Sequence, residues 1–133
     1  MRITSAVLVA EALARITNLS PEEAFHAMQT GESTLLDLRE TEELTRSGSI
    51  AGAIHIPRGV LEFAVDPGHP VYRSEITHDT PLILMSAAGH RSALATETLT
   101  ALGFSHVASL RGGFQAWVGQ GLPIVYPYVA QTS

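Results

Sequence analysis

The residues of this chain best placed to do chemistry are Ser86-Ala87-Ala88-Gly89-His90-Arg91-Ser92. They follow Leu82-Ile83-Leu84-Met85, an unbroken apolar run behind Pro81. Such a run reads as a fully covered parallel strand that ends at Met85. A helix is expected to start near Arg91. A loop of small residues between a strand and a helix turns backbone N–H groups into one concave space. The helix start adds its own free N–H groups and a partial positive charge. That is the physics of an anion cradle, with Ser86 at its centre. Asp37 and Arg39, at the end of an earlier strand, and Arg58, after a later one, are the other polar residues that the same sheet edge could bring near.

Composition narrows the chemistry. The chain has 133 residues, which argues for one domain, and it is large enough to fold without a disulfide or metal. It has no cysteine, which removes disulfides, thiolate metal sites and thiol nucleophiles. The formal net charge of -5 disfavours nucleic acid and anionic membrane as partners. No apolar run approaches a membrane span, and Glu11 cuts short the apolar residues 6–10. The chain reads as a soluble cytoplasmic protein. Its six histidines show no H-x-x-x-H spacing, so neither a metal nor a cofactor is expected.

The elements that must position the loop follow from periodicity and caps. Residues 4–15 are expected to form a helix capped by Thr4 or Ser5 and apolar nearly all round. It should pack on the domain or on a second subunit. Ser20-Pro21-Glu22-Glu23 is a helix start: cap, proline at the first position, and a capping box closed by Glu23. Phe25 and Met28 share a face of this helix, and Gly31 ends it. Strands are predicted at 34–38, 53–56, 82–85 and 106–110. Helices are predicted at 40–46, 58–64, 91–102 and 114–118, with Ala95, Leu99 and Leu102 on one face of the third. Residues 66–70 hold two prolines and a glycine and must be loop. This alternation implies a parallel sheet with helices on both faces. The expected organisation is an N-terminal helical extension over 1–17, a core over 18–124 and a tail over 125–133.

Three segments resemble the rhodanese family, which transfers sulfur through a cysteine persulfide. Asp37-Leu38-Arg39-Glu40, with Gly48-Ser49-Ile50-Ala51-Gly52-Ala53-Ile54-His55-Ile56-Pro57, resembles its first signature. The loop at 86–92 resembles its active-site loop. Leu110-Arg111-Gly112-Gly113-Phe114-Gln115-Ala116-Trp117 resembles its C-terminal signature. Order and spacing match over roughly residues 18–124. The resemblance implies a small α/β domain whose nucleophilic position is Ser86. A second departure is Ser49, where the family usually shows histidine.

A thiol near pKa ~8.5 can be ionised by a cradle of N–H groups, whereas a serine hydroxyl stays protonated without a base. His90 is the nearest candidate base, but its place in the loop suits the rim or solvent. No third triad member is evident. The family route is therefore closed to the chain as written. Two readings remain: a binding or regulatory module that lost its nucleophile, or a sulfurtransferase whose cysteine was replaced by Ser86. Its partner would be a small anion, a sulfur donor or acceptor, or a protein, and the N-terminal helix admits a homodimer. A phosphatase reading is rejected, because those relatives place arginine six positions after the nucleophile and Arg91 is five after Ser86. Arg91 could sit over an anion or tie the loop to a carboxylate such as Asp37. Asp37 and Arg39 are expected to fix loops, Arg58 to cap a helix rather than line the pocket mouth, and Trp117, Phe114 and His55 to belong to the core.

Overall fold

A computed structural model describes residues 2–130. Five short parallel strands form its sheet in the order β1-β5-β4-β2-β3. They are β1 (Thr17–Leu19), β2 (Thr34–Asp37), β3 (Ile54–His55), β4 (Leu82–Met85) and β5 (Val107–Leu110). The helices are α1 (Ser5–Arg15), α2 (Pro21–Gln29), α3 (Thr41–Ser47), α4 (Leu61–Ala64), α5 (His90–Ala101) and α6 (Gly113–Gly119). A single 3-10 turn, Arg58–Val60, leads into α4. No helix among the described residues is long and apolar enough to cross a membrane.

Strand alternation sorts the core into two layers. Leu36, Leu82 and Leu84 face α4 and α5, where they meet Leu61, Ala64, Ala95 and Leu99. Leu35, Ile83, Met85 and Leu110 face α2 and α6, where they meet Ala24, Ala27, Phe114 and Trp117. The central strand β4 is buried at every position, as its unbroken apolar run requires. Ser20 caps α2 by accepting from the Glu23 amide at 3.1 Å, and Glu23 returns the bond to the Ser20 amide at 2.8 Å. Gly103 takes a φ of 102° just past α5 and stops it.

Three expectations change. Residues 17–19 form a strand at the edge of the sheet, paired with β5 through Thr17 to Ala108, Asn18 to Ser109 and Leu19 to Leu110. Three residues give too short a pattern for periodicity to register. Of the two expected packings of the N-terminal helix, the structure shows the one on the domain: α1 packs on α5. Leu102 is 48% exposed, because the helix ends one residue before it. His55 is half-buried at the edge strand rather than in the core; its Nε2 bonds the Arg39 carbonyl at 2.7 Å. Of the expected tail, residues 131–133 lie outside the described residues, and Val125 pairs with Ser49 in an antiparallel bridge.

Candidate active-site loop

The loop leaves β4 at Met85, and the strand alternation turns Ser86 to the α5 side. Gly89, with φ 92°, reverses the chain into α5. Ser86 is 1% exposed and Ser92 is 0% exposed. The Ser92 amide donates to Ser86 Oγ at 3.1 Å, and Ser86 Oγ donates to Ser92 Oγ at 3.3 Å. Ser92 Oγ in turn bonds Ser109 Oγ on β5 at 2.9 Å. The hydroxyl that occupies the candidate nucleophile position thus runs into a buried chain of serines beneath α5. His90 lies exposed at the first position of α5 and makes no hydrogen bond to Ser86. Among the described residues, the amides of 87–91 donate to no protein acceptor.

Neighbouring elements clamp this loop. The Phe114 amide donates to the Ser86 carbonyl at 2.9 Å and the Gln115 amide to the Ala87 carbonyl at 3.0 Å. That approach requires glycine. A Cβ on Gly113 would overlap the Ser86 carbonyl oxygen and stand 2.8 Å from the Ala87 carbonyl carbon, at a φ of +63°. A Cβ on Gly89 would meet the Gly112 nitrogen at 3.2 Å from the other side.

Arg91 does tie the loop to a carboxylate, but the partner is Glu43 and not Asp37. Its Nη1 and Nη2 donate to Glu43 Oε2 and Oε1, each at 2.8 Å. This fork holds the Glu43 carboxyl well below its usual range, at about 2, against the opposing effect of burial. Glu43 Oε2 also accepts from the Glu40 amide at 2.8 Å, so one side chain caps α3 and anchors α5. Sequence reading missed Glu43. The available signal was its place at the third helical position after a strand adjacent to β4.

Asp37 and Arg39 are each 1% exposed and pair with one another. Arg39 Nη2 donates to Asp37 Oδ2 at 2.7 Å and to the Gly48 carbonyl at 3.0 Å. Its guanidinium lies 4.0 Å from the Phe114 ring centroid. The pair therefore fixes the start of α6 and the end of α3 from within. Arg58 stays apart, in an i,i+4 pair with Glu62 at 2.9 Å. The structure thus brings Ser86 and Ser92 together, pairs Asp37 with Arg39, and leaves Arg58 outside.

A parallel sheet of this order, with a small-residue loop leaving the central strand and wedged against a Gly-Gly helix start, defines a rhodanese-like domain. The chain belongs to that family: the rhodanese-like domain model matches residues 20–120. A thiosulfate sulfurtransferase of Tolumonas auensis is 28% identical over 118 residues, covering 89% of this chain and 98% of its own length. A sulfurtransferase of Allochromatium vinosum is 34% identical over 98 residues, covering 74% and 83% respectively. A solved structure from Rhodopseudomonas palustris, of unknown function and described as a possible tyrosine phosphatase, matches at 33% identity. Its TM-score is 0.87, over 94% of this chain and 96% of its own. The polysulfide-sulfur transferase homodimer of Wolinella succinogenes matches with a TM-score of 0.73 at 28% identity, over 89% and 84%. This chain has no cysteine, and so lacks the thiol on which the family's sulfur chemistry depends.

Two outcomes follow from the clamp. Gly113→Ala should cost at least ~2 kcal/mol in urea unfolding, because strain at positive φ adds to a backbone overlap. The folded-state pKa of Glu43 lies below the ordinary glutamate value of 4.5, so its contribution is present above pH 4.5 and fades as pH falls toward about 2. Glu43→Gln should lose about 1–2 kcal/mol at neutral pH, discounted for the partial exposure of Arg91, and differ little from the parent near pH 2.

Proposed function

We propose that this rhodanese-like domain is a non-catalytic binding or regulatory module. The observation that carries the reading is the state of Ser86: buried, and hydrogen-bonded to Ser92 rather than to a base. A hydroxyl without a base stays protonated, and N–H donors around it favour an anion without generating one. The unpartnered amides of 87–91 are then free to hold a small anion or an acidic group of a partner protein. Ala87, Ala88, Gly89, His90 and Ser92 contribute backbone and shape, and Arg91 acts through Glu43. A phosphatase role fits poorly, since the guanidinium that would hold a phosphate is engaged by Glu43.

Purified protein should release no thiocyanate from thiosulfate and cyanide above background. Turnover that Ser86→Ala abolishes would overturn the reading. Ser86→Cys places a thiol on the Ser92 amide at the start of α5, which favours the thiolate. That variant should take the outer sulfur of thiosulfate as a persulfide while sulfite leaves, seen as a mass gain of one sulfur atom. Its failure to do so would mean that the scaffold has lost more than its nucleophile.

A second copy of the chain is the proposed partner on α1. The helix turns only Ala12 fully inward and leaves the larger Val7, Leu8 and Leu13 exposed. An apolar surface of that kind is stabilised by a covering partner. The Wolinella succinogenes relative, a homodimer, supports this choice. Sedimentation at high micromolar concentration should give a dimer. Leu8→Glu with Leu13→Glu should give a folded monomer with unchanged far-UV circular dichroism. A parent chain that sediments as a monomer would remove the proposal.

A further inference from the structure

Outside the loop, a recess lies along the free edge of β3. It encloses about 570 Å³ between Asp37, residues 49–53, His55, Arg73 and the tail residues Val125, Tyr128 and Val129, and the buried Asp37 carboxylate is engaged by Arg39. No residue of the 86–92 loop lines it. Its volume falls in the range of small-molecule sites.

The chemistry of the recess follows from the strand register. Ile56 donates its amide back to the Asp37 carbonyl at 2.9 Å, so His55, one residue earlier, turns its own N–H and C=O to the free edge. The carbonyl faces Arg73, whose Nη1 stands 3.5 Å away, and the His55 amide has no partner among the described residues. The His55 ring is fixed as well. Because a carbonyl can only accept, Nε2 carries the proton it gives to Arg39, and in the neutral ring Nδ1 keeps a bare lone pair. Tyr128 packs edge-on against this ring at 6.3 Å. Arg73 itself is anchored by its amide on the Ala64 carbonyl at 2.8 Å, and its guanidinium pairs with Glu75 at 2.6 Å. Leu44, Ile50, Val125 and Val129 supply an apolar wall.

We propose that this recess is a second binding site, for a small organic anion with a carboxylate head and a short apolar body. Arg73 and the His55 amide are the donors for the head, and the apolar wall takes the body. An extended peptide is a poor fit. Strand β3 has only two residues, and the tail crosses the edge through the Ser49–Val125 bridge. Glu75 is an internal competitor for Arg73. The site adjoins the clamp, since His55 holds the Arg39 carbonyl and Arg39 holds Gly48.

The experiment is an amide-resolved NMR titration of the full chain with isovalerate, with its neutral amide isovaleramide and inorganic sulfate run in parallel. Isovalerate should give saturable shifts at Ala51, Gly52, His55 and Arg73, and sulfate should act at 87–91. Isovaleramide should bind at least tenfold more weakly than isovalerate. Arg73→Gln should weaken isovalerate at least tenfold, and Glu75→Gln, which frees the guanidinium, should tighten it several-fold. The second variant keeps the test decisive if Arg73→Gln fails to fold. The proposal is overturned by shifts confined to 87–91, by no saturation, by equal binding of acid and amide, or by a Glu75→Gln variant that binds no more tightly.

Discussion

The closest constraint in this molecule is the contact between the first residues of α6 and the loop that leaves β4. Two amide-to-carbonyl bonds, from Phe114 and Gln115, hold Ser86 and Ala87 against a helix start that only glycine permits. The contact consumes the carbonyls of Ser86 and Ala87, while the amides of 87–91 have no protein acceptor among the described residues. The polarity of the loop is thereby decided by backbone packing, whatever side chain stands at position 86. Arg39 reinforces the same contact from the interior by stacking on Phe114. Its partner Asp37 neutralises a guanidinium that could not otherwise be buried.

Around this frame, one substitution separates scaffold from chemistry. A sulfur atom at position 86 would be a polarisable nucleophile that an N–H cradle can ionise. An oxygen there keeps its proton and directs it to Ser92, and the chain continues to Ser109. The polar atoms beneath α5 are thus satisfied by one another. A serine fits the position as a structural residue, its hydroxyl accepting from the Ser92 amide and donating to Ser92 Oγ.

Much of this was legible in the sequence because its signals are local. The Ser20 capping box, the apolar β4 run and the glycine stop at Gly31 after α2 each depend on neighbours a few residues away. The loop and its flanking signatures were legible for the same reason. What escaped was pairing across distance. Strand β1 has three residues and acquires meaning only beside β5. Glu43 escaped because its bond to Arg91 depends on α3 and α5 starting at the same sheet edge. The outward face of His55 depends on which neighbour its strand lacks, and no residue pattern encodes that.

The strand order also bears on how the chain reaches this state during synthesis. Thr17 finds its partner in Ala108, and Leu19 accepts the Arg111 amide, so the first of the five described strands is completed by the fifth. Strands β2, β3 and β4 can associate while the C-terminal part of the chain is still within the ribosome. The N-terminal segment, by contrast, must wait for β5 to emerge, with its loop-closure entropy offset only then. Until that moment the apolar residues of α1 have no α5–β5 surface in its final form to pack on. The inward face of α1 at Ala12 is thus covered late, by elements that lie some eighty residues further along the chain.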